Sequence, residues 1–363
     1  MNKVRVTLLG GGYIGRIHIA GYRNLPVCYP DAEQYVELTN LVTRNPDGAV
    51  ASLFEHAERD PGNIQATDIA DICTPNFLHE EEIKELVGRG FHCIYCEKPV
   101  TGFYSSEEAM TQFAAQHGIM DQTALVYRFL PALIRARRIV QEGMIGDVLH
   151  FKCSLYHGSY LNPKRPMSWR LRREASGGGA LVDLGIHAID SLSFLLGTIT
   201  SAEGHTETFI KTRPDGNDRA EVDVDDFAFL EVTASGARGT LEVSRITAGA
   251  DGNLDIAVYG TKGAVHINSG SPDYPEIFFT AKGAWERGAS CIFSETEADI
   301  AELWPSGKYT QGTMENMHMA SIRCLMNRME GREPRDLQPP RFSDSAKAMK
   351  IIDAIYKDGR FQA

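Results

Sequence analysis

The feature that most constrains the fold is a run of glycines placed at the end of an apolar strand pattern. Residues 4–9 read as a buried strand and pass directly into Gly10-Gly11-Gly12-Tyr13-Ile14-Gly15, after which residues 16–24 have helical character. This is G-x-G-x-x-G in the strand, turn and helix setting that gives the pattern its meaning; elsewhere it would be an ordinary glycine-rich turn. Gly10 permits the tight turn, and Gly12 lets a pyrophosphate approach the backbone. Gly15 lets helix and strand pack closely, with the phosphates held at the helix N-terminus beside Tyr13 and Ile14.

Further strand signals at residues 36–42, 69–73 and 91–96, with helical stretches around 48–58 and 79–89, make repeated βα units. Such repeats imply a parallel, doubly wound sheet, whose ligands lie beyond the carboxyl ends of the strands. Thr74, Pro75 and Asn76 follow the third of these strands, and Glu97, Lys98 and Pro99 follow the fourth, so position makes them candidates for the site. The end of the second strand bears on the cofactor. An NAD site wants a carboxylate there for the ribose hydroxyls, whereas an arginine accommodates the extra phosphate of NADP. This chain has Thr43 and Arg44, which tilts the expectation to NADP unless Arg44 is simply a solvated loop residue.

From about residue 125 the pattern changes to short alternating strands at 147–155, 225–233, 238–245, 253–259 and 264–268, with 234–237 as a hairpin turn. The polar stretch 211–221 reads as a surface loop, and helices at 314–329 and 344–358 close the chain. The expectation is an α/β protein: residues 1–124 form a dinucleotide-binding domain on which a C-terminal helix at about 341–363 packs back, and residues 125–340 form an α+β domain. Within the latter, Asp183, His187 and Asp190 share one helix face while Leu181, Leu184, Ala188, Leu192 and Leu195 line another. That triplet is either a solvated polar face with Asp183 as a helix cap, or an acid and base set presented for chemistry.

At 363 residues, 43% hydrophobic and 23% charged, the chain can bury two sizeable cores. A formal net charge of −11 disfavours a sequence-independent hold on nucleic acid and points to a small-molecule ligand. Seven scattered cysteines form no disulfide framework, and Cys93 with Cys96, though spaced like a metal or redox pair, falls inside an apolar strand run, so no metal site is expected. No apolar run approaches the roughly 18 residues that span a bilayer, and the chain starts directly in a strand pattern; no membrane partner and a cytoplasmic location are expected. Residues 164–173 carry five basic side chains in an otherwise acidic protein, and part of that run is expected to meet the cofactor phosphates or an anionic substrate group.

The glycine turn, Thr74-Pro75-Asn76 with His79, Glu97-Lys98-Pro99, Tyr127-Arg128-Phe129 with Pro131, and Asp183-x-Gly185-x-His187-x-x-Asp190 occur here in one order. Together they resemble the glucose-fructose oxidoreductase / inositol dehydrogenase (Gfo/Idh/MocA) family of NAD(P)-dependent oxidoreductases, over nearly the whole chain. The resemblance implies an N-terminal Rossmann domain and a second domain with a large, mostly antiparallel sheet whose open face makes a homodimer or homotetramer. It implies hydride transfer between a nicotinamide and a ring hydroxyl or ketone of a sugar, sugar derivative or cyclitol. Lys98, Asp183 and His187 match the catalytic residues, with His187 as proton acceptor. Gly10, Gly12, Gly15, Thr74, Pro75, Asn76, His79, Glu97 and Lys98 match positions around the cofactor, and Tyr127, Arg128, Trp169 and Arg170 match positions near the substrate. Thr43 departs from the aspartate of many members, which leaves NAD or NADP open. The chemistry agrees: hydride leaves a carbinol carbon as a base takes the hydroxyl proton, and a cation lowers the energy of developing oxyanion charge. The rival readings are a glycoside-cleaving enzyme that oxidises its sugar only transiently, and a cofactor-binding regulator without turnover, which has no need of Lys98, Asp183 and His187.

Overall fold

A computed structural model describes residues 2–30, 32, 34–288 and 291–363. The first elements are β1 (Asn2–Leu9), α1 (Tyr13–Cys28), β2 (Gln34–Val42), β3 (His56–Glu58), β4 (Ile69–Ile72), α2 (Asn76–Gly88), β5 (Cys93–Cys96), α3 (Tyr104–Gln116) and β6 (Met120–Thr123). They continue with α4 (Pro131–Gln141), β7 (Val148–His157), α5 (Arg173–Ser176), α6 (Ile186–Leu196), β8 (Ile199–Glu207), β9 (Thr212–Asp215), β10 (Asp218–Glu221), β11 (Phe227–Ala234) and β12 (Ala237–Ser244). The chain ends with β13 (Asp251–Gly260), β14 (Gly263–Asn268), β15 (Glu276–Phe279), β16 (Ala284–Arg287), α7 (Ser294–Leu303), α8 (Thr313–Met329), α9 (Phe342–Asp358) and β17 (Arg360–Gln362).

Among the described residues, six strands pair in parallel in the order β3-β2-β1-β4-β5-β6. The chain order reverses between β1 and β4, which is where a doubly wound sheet opens a crevice at its carboxyl edge. β4 and β5 are buried at every position, as strands covered on both faces must be. A second sheet runs β16-β15-β14-β13-β7-β12-β11-β8-β17 and is antiparallel except where β7 meets β12. Its strands alternate: in β11, Ala228, Leu230, Val232 and Ala234 are buried while Glu231 is exposed. The α/β architecture with a parallel sheet and a separate, mostly antiparallel one is therefore as expected.

The chain divides into two compact units, one of residues 1–101, 105–129 and 298–346, the other of residues 102–104, 130–297 and 347–363. Two boundaries differ from expectation. The helix expected to close the second domain, α8, belongs to the first unit: it packs on α1, Tyr95 donates to Ser321 Oγ at 2.9 Å, and Gln122 donates to the Ser321 carbonyl at 2.8 Å. The end of the terminal helix, expected on the first domain, belongs to the second unit from Lys347 onward, where Tyr356 donates to Asp225 at 2.5 Å and β17 extends the sheet beside β8.

Local corrections have local causes. The helix expected at 48–58 is absent; Ala51–Leu53 is a single 3₁₀ turn, and His56–Glu58 pairs with Asn40, Leu41 and Val42 as an edge strand. The loop expected at 211–221 is a hairpin, β9 with β10, turned through Gly216 at φ +64°. Gly216 supplies the left-handed conformation that a two-residue turn needs. Arg173–Leu196 is long and apolar enough to cross a membrane, contrary to the expectation that no such run exists, but 89% of its apolar window is buried inside the protein.

Candidate active site

The glycine turn behaves as its chemistry requires. Gly10 has φ +96°, and a Cβ there would stand 2.7 Å from the Cys73 carbonyl oxygen, so no other residue fits. A Cβ on Gly15 would overlap the Gly10 carbonyl oxygen, whereas one on Gly12 would meet nothing within 4 Å. The space over Gly12 is thus open at the N-terminus of a 16-residue helix that has no acidic residue in its first turn and no side-chain cap. Backbone N–H groups and the helix dipole there suit a pyrophosphate. Tyr13 is exposed and Ile14 half-buried beside it; Thr43, half-buried, and Arg44, exposed, stand at the carboxyl end of β2.

The turns after β4 and β5 are fastened together from below. His79 is buried, with Nε2 2.8 Å from the Thr74 carbonyl and Nδ1 3.2 Å from the Pro99 carbonyl; burial lowers its pKa, and the neutral ring donates through one of these nitrogens to one turn while packing against the other. His79, expected near the cofactor, stands as a strut behind the turns after β4 and β5. Asn76, at the start of α2, donates to the Thr101 carbonyl at 3.2 Å. Thr74, next to Pro75, donates to Glu82 at 2.5 Å, and burial pushes the Glu82 carboxyl up to about 7.

Glu97 and Lys98 stand at the carboxyl end of β5, two strands from β1 in the sheet. The Lys98 N–H donates to Glu97 Oε2 at 3.1 Å, while Glu97 Oε1 lies 3.1 Å from His18 Nε2. His18 Nδ1 in turn lies 2.9 Å from Asp71, with Cys73 Sγ at 3.2 Å. Burial alone would neutralise His18, but the Asp71 carboxylate and its neighbour Cys73 hold its pKa well above the ordinary value. Glu97 shows the same contest: burial raises its pKa, yet the His18 hydrogen bond and charge bring it down to about 2. His318 on α8, its ring 4.9 Å from that of His18, is driven by burial and by the His18 charge down to about 3 and is neutral. His18, Glu97 and His318 have the spacing of a metal-ligand set, but both His18 ring nitrogens are engaged by carboxylates, so shared protons hold the cluster together.

In the second unit, residues 181–185 form a π turn that leads into α6. Its start is built on Asp225, whose carboxylate accepts the Gly179 N–H at 2.9 Å and the Leu181 N–H at 2.8 Å, while the Asp225 carbonyl accepts the Ala180 N–H at 2.9 Å. A Cβ on Gly179 would overlap that carbonyl, which explains the glycine-rich lead-in. Asp183 lies inside the π turn and has no capping role, so the cap reading is wrong: Gly179 O accepts its N–H, and its side chain is about one-third exposed. The Arg245 guanidinium, fully buried, sits 3.9 Å from the Asp183 carboxylate and 4.4 Å over the Tyr160 ring, and donates to the Asp225 carbonyl at 3.0 Å. His187 and Asp190 are 8% and 3% exposed, which excludes the solvated-face reading.

Sequence reasoning missed His18, Asp71, His318, Asp225 and Arg245. The available signal was Asp71, a carboxylate in the middle of an apolar strand and therefore in need of a buried partner. Of the positions expected near substrate, Tyr127 is half-buried, and burial pushes its hydroxyl up to about 12. Arg128 is 5% exposed and paired with Asp344 at 3.3 Å, a structural tie that argues against a substrate contact. Trp169 is half-buried with the exposed Arg170 stacked on it at 4.3 Å. Three of the other four basic residues of the run have local partners, Arg165 over Tyr160, Arg172 with Asp215 at 2.8 Å, and Arg173 over Tyr356, while Lys164 is exposed.

Comparison with known proteins gives a consistent set of likenesses. A family model described as oxidoreductase family, NAD-binding Rossmann fold matches residues 4–124, and one described as GFO/IDH/MocA C-terminal domain matches residues 133–266. Levoglucosan dehydrogenase of Pseudarthrobacter phenanthrenivorans is 29% identical over 98% of this chain and 96% of its own length. An NAD(+) scyllo-inositol 2-dehydrogenase of Bacillus subtilis is 28% identical over 78% of this chain and 79% of its own. A solved levoglucosan dehydrogenase in complex with NADH and L-sorbose superposes with a TM-score of 0.88 at 25% identity, covering 100% of this chain and 99% of that one.

Proposed function

Because the chain belongs to the Gfo/Idh/MocA family of oxidoreductases, we propose that Lys98, Asp183 and His187 carry its chemistry, each in a separate role. The protein is an NAD(P)-dependent oxidoreductase that transfers a hydride between the nicotinamide and a ring hydroxyl or ketone of a sugar, sugar derivative or cyclitol. The observation that supports the residue assignment best is the position of Glu97 and Lys98 at the carboxyl end of β5, in the same sheet as the open glycine cradle at α1.

When bound, the nicotinamide supplies the hydride acceptor or donor. The remaining work falls to side chains. In the oxidising direction the substrate C–H bond gives up a hydride while the O–H proton passes to a base and the C=O bond forms; His187, the residue type that titrates nearest neutrality, takes that proton. Lys98 stabilises the oxygen as charge builds on it. Asp183, beside the Arg245 guanidinium at 3.9 Å, accepts a hydrogen bond from the substrate. Gly12 and the first turn of α1 hold the pyrophosphate, and Thr43 with Arg44 favours NADP over NAD. The second unit supplies the substrate pocket and, through the exposed face of its sheet, the contact of a homodimer or homotetramer. A cytoplasmic location suits a chain whose seven cysteines are buried thiols rather than disulfides.

The test is an absorbance assay at the wavelength of the reduced nicotinamide with levoglucosan, scyllo-inositol and a panel of related sugars and inositols, using NAD and NADP separately. Net formation of NAD(P)H that is lost in Lys98→Ala supports the dehydrogenase reading. Glycoside cleavage at constant cofactor would replace it with the transient-oxidation reading, and tight cofactor binding without turnover would replace it with the regulator.

A further inference from the structure

His18, Asp71 and Glu97 form a buried chain that ends on the backbone of Lys98. We propose that this chain is a positioning device for the lysine: Asp71 anchors His18, His18 fixes Glu97, and Glu97 holds the Lys98 N–H, making His18 and Asp71 positioning residues for hydride transfer. The inference rests on the assignment of Lys98 made above and adds the part of the fold that sets where the lysine stands.

The geometry supports each link. Asp71 and His18 are fully buried, and Glu97 is 7% exposed, so all three polar groups have left water and must answer to one another. Both His18 ring nitrogens face carboxylate oxygens, at 2.9 Å to Asp71 and 3.1 Å to Glu97, so both must donate. A ring donating twice is an imidazolium, and the groups packed round it agree. Asp71 and Cys73 come from β4 and the residue after it, Glu97 and Lys98 from the end of β5, and neutral His318 from α8, while Tyr95 stacks on the ring at 5.2 Å and Tyr22 lies one turn along α1. Two carboxylates are thus balanced by His18 and Lys98. Glu97 spends one oxygen on His18 and the other on the Lys98 N–H, which leaves its carboxylate little freedom to rotate. A neutral packing core in this place would fill space equally well and would leave the turn after β5 free to drift.

The device is tested by a double-mutant cycle with a second readout that needs no turnover. His18→Gln is made in the native protein and in Lys98→Ala, and single-turnover hydride transfer is measured with the faster of NAD and NADP and the fastest substrate of the panel above. Misplacing a reacting group by about 1 Å costs on the order of 10²-fold, so His18→Gln is expected to slow the native protein by about that factor. In the Lys98→Ala background it is expected to change the rate by less than about 3-fold, because its effect has lost its object. Hydrogen exchange of the segment 96–100 in the cofactor-free protein is expected to quicken by about tenfold or more as the Glu97 acceptor is released. Equal slowing in both backgrounds, or unchanged rate and exchange in the native one, would overturn the inference. A fully active Lys98→Ala would sink the lysine assignment itself and the inference with it. Should circular dichroism show that His18→Gln does not fold, the same cycle is run with Glu97→Gln, which keeps the shape and removes the charge; slowing confined to the native background again supports the device, and equal slowing in both again overturns it.

Discussion

The two units hold their key side chains in opposite ways. Lys98 stands on a chain of buried ionic groups, Asp71, His18 and Glu97, reached through side chains from α1, β4 and β5. Asp183 and His187 stand on an irregular backbone, the π turn at 181–185, whose geometry is set by main-chain N–H groups converging on Asp225. In the first unit the backbone is regular and a chain of buried ionic side chains does the holding; in the second the backbone itself is irregular, and the buried Asp225 acts on it through main-chain N–H groups. A reactive group can thus be fixed either by the charge beneath it or by the irregular turn that carries it, and the two kinds of support should fail differently under mutation and pH. π turns inserted in helices frequently mark functional sites, which agrees with the placement of Asp183.

The sharpest break in the comparison is at the proposed reacting groups. His187→Ala is expected to lower kcat by about 10³-fold, within the range for loss of a general base, and Lys98→Ala by about 10²-fold or more, as for loss of an oxyanion donor. Steady-state kinetics at saturating cofactor would check both. Next comes the support of the π turn. Asp225→Ala leaves the Gly179 and Leu181 N–H groups and the Tyr356 hydroxyl without their acceptor, and is expected to cost about 3 kcal/mol or more of stability. Urea unfolding would measure it. A loss below about 1 kcal/mol would mean that the π turn holds itself and that Asp225 is not its foundation.

The doubly wound half was legible because glycine spacing and apolar strands are local signals. The turn at Gly10–Gly15 and the carboxyl-end positions of Thr74 and Lys98 follow from a few adjacent residues. The second sheet was legible as alternation, down to the hairpin at 234–237, although its strand order was not, since β7 pairs with β12 across 80 residues of sequence or more. What sequence reasoning could not reach were contacts between distant segments: His18 with Asp71 and Glu97, Arg245 with Asp183, and Asp225 with the turn at 179–181. Each joins residues dozens of positions apart, and no periodicity encodes such a meeting. The misread 211–221 hairpin is different in kind. Its turn residues were visible, and polarity outweighed them because an exposed two-stranded ribbon has almost no apolar face.

The ionic support of the first unit should show itself in the pH dependence of stability. His318 is neutral when folded, with its pKa lowered to about 3 from 6.5, so its contribution is intact above pH 6.5 and is lost as pH falls from there toward 3. Glu97, lowered from 4.5 to about 2, adds to this only below pH 4.5. His18 runs the other way: its raised pKa stabilises fully below 6.5, and that part is lost as pH rises through the folded value. Each group can contribute a slope of up to about 1.4 kcal/mol per pH unit inside its window. His318→Leu is expected to flatten the unfolding free energy between about pH 6 and 4.5, with Glu97 still titrating below. Identical slopes in the variant and the native protein would show that the cluster is not held as described.

The smallest effect is expected in the basic run of the second unit, where local partners have already been found for most of the charge. Arg172 is paired with Asp215, and Arg165 and Arg173 lie over tyrosine rings, whereas Arg170 is exposed, stacked on Trp169, and makes no ion pair among the described residues. If any part of the run meets an anionic group of cofactor or substrate, Arg170 is the arginine placed to do so: like Arg165 and Arg173 it makes no salt bridge among the described residues, and unlike them it is not held over a tyrosine ring. Arg170→Ala is therefore expected to raise the KM for substrate or the dissociation constant of NADP by about 5- to 10-fold, as for one lost charge-assisted hydrogen bond of about 1 kcal/mol in a partly exposed site, with stability unchanged. Arg172→Ala serves as the control, since it breaks only the exposed pair with Asp215, for which a change within about 0.5 kcal/mol of stability is expected. Equal, negligible effects of both variants on binding would remove the run from the function and leave it as the charged surface its composition first suggests.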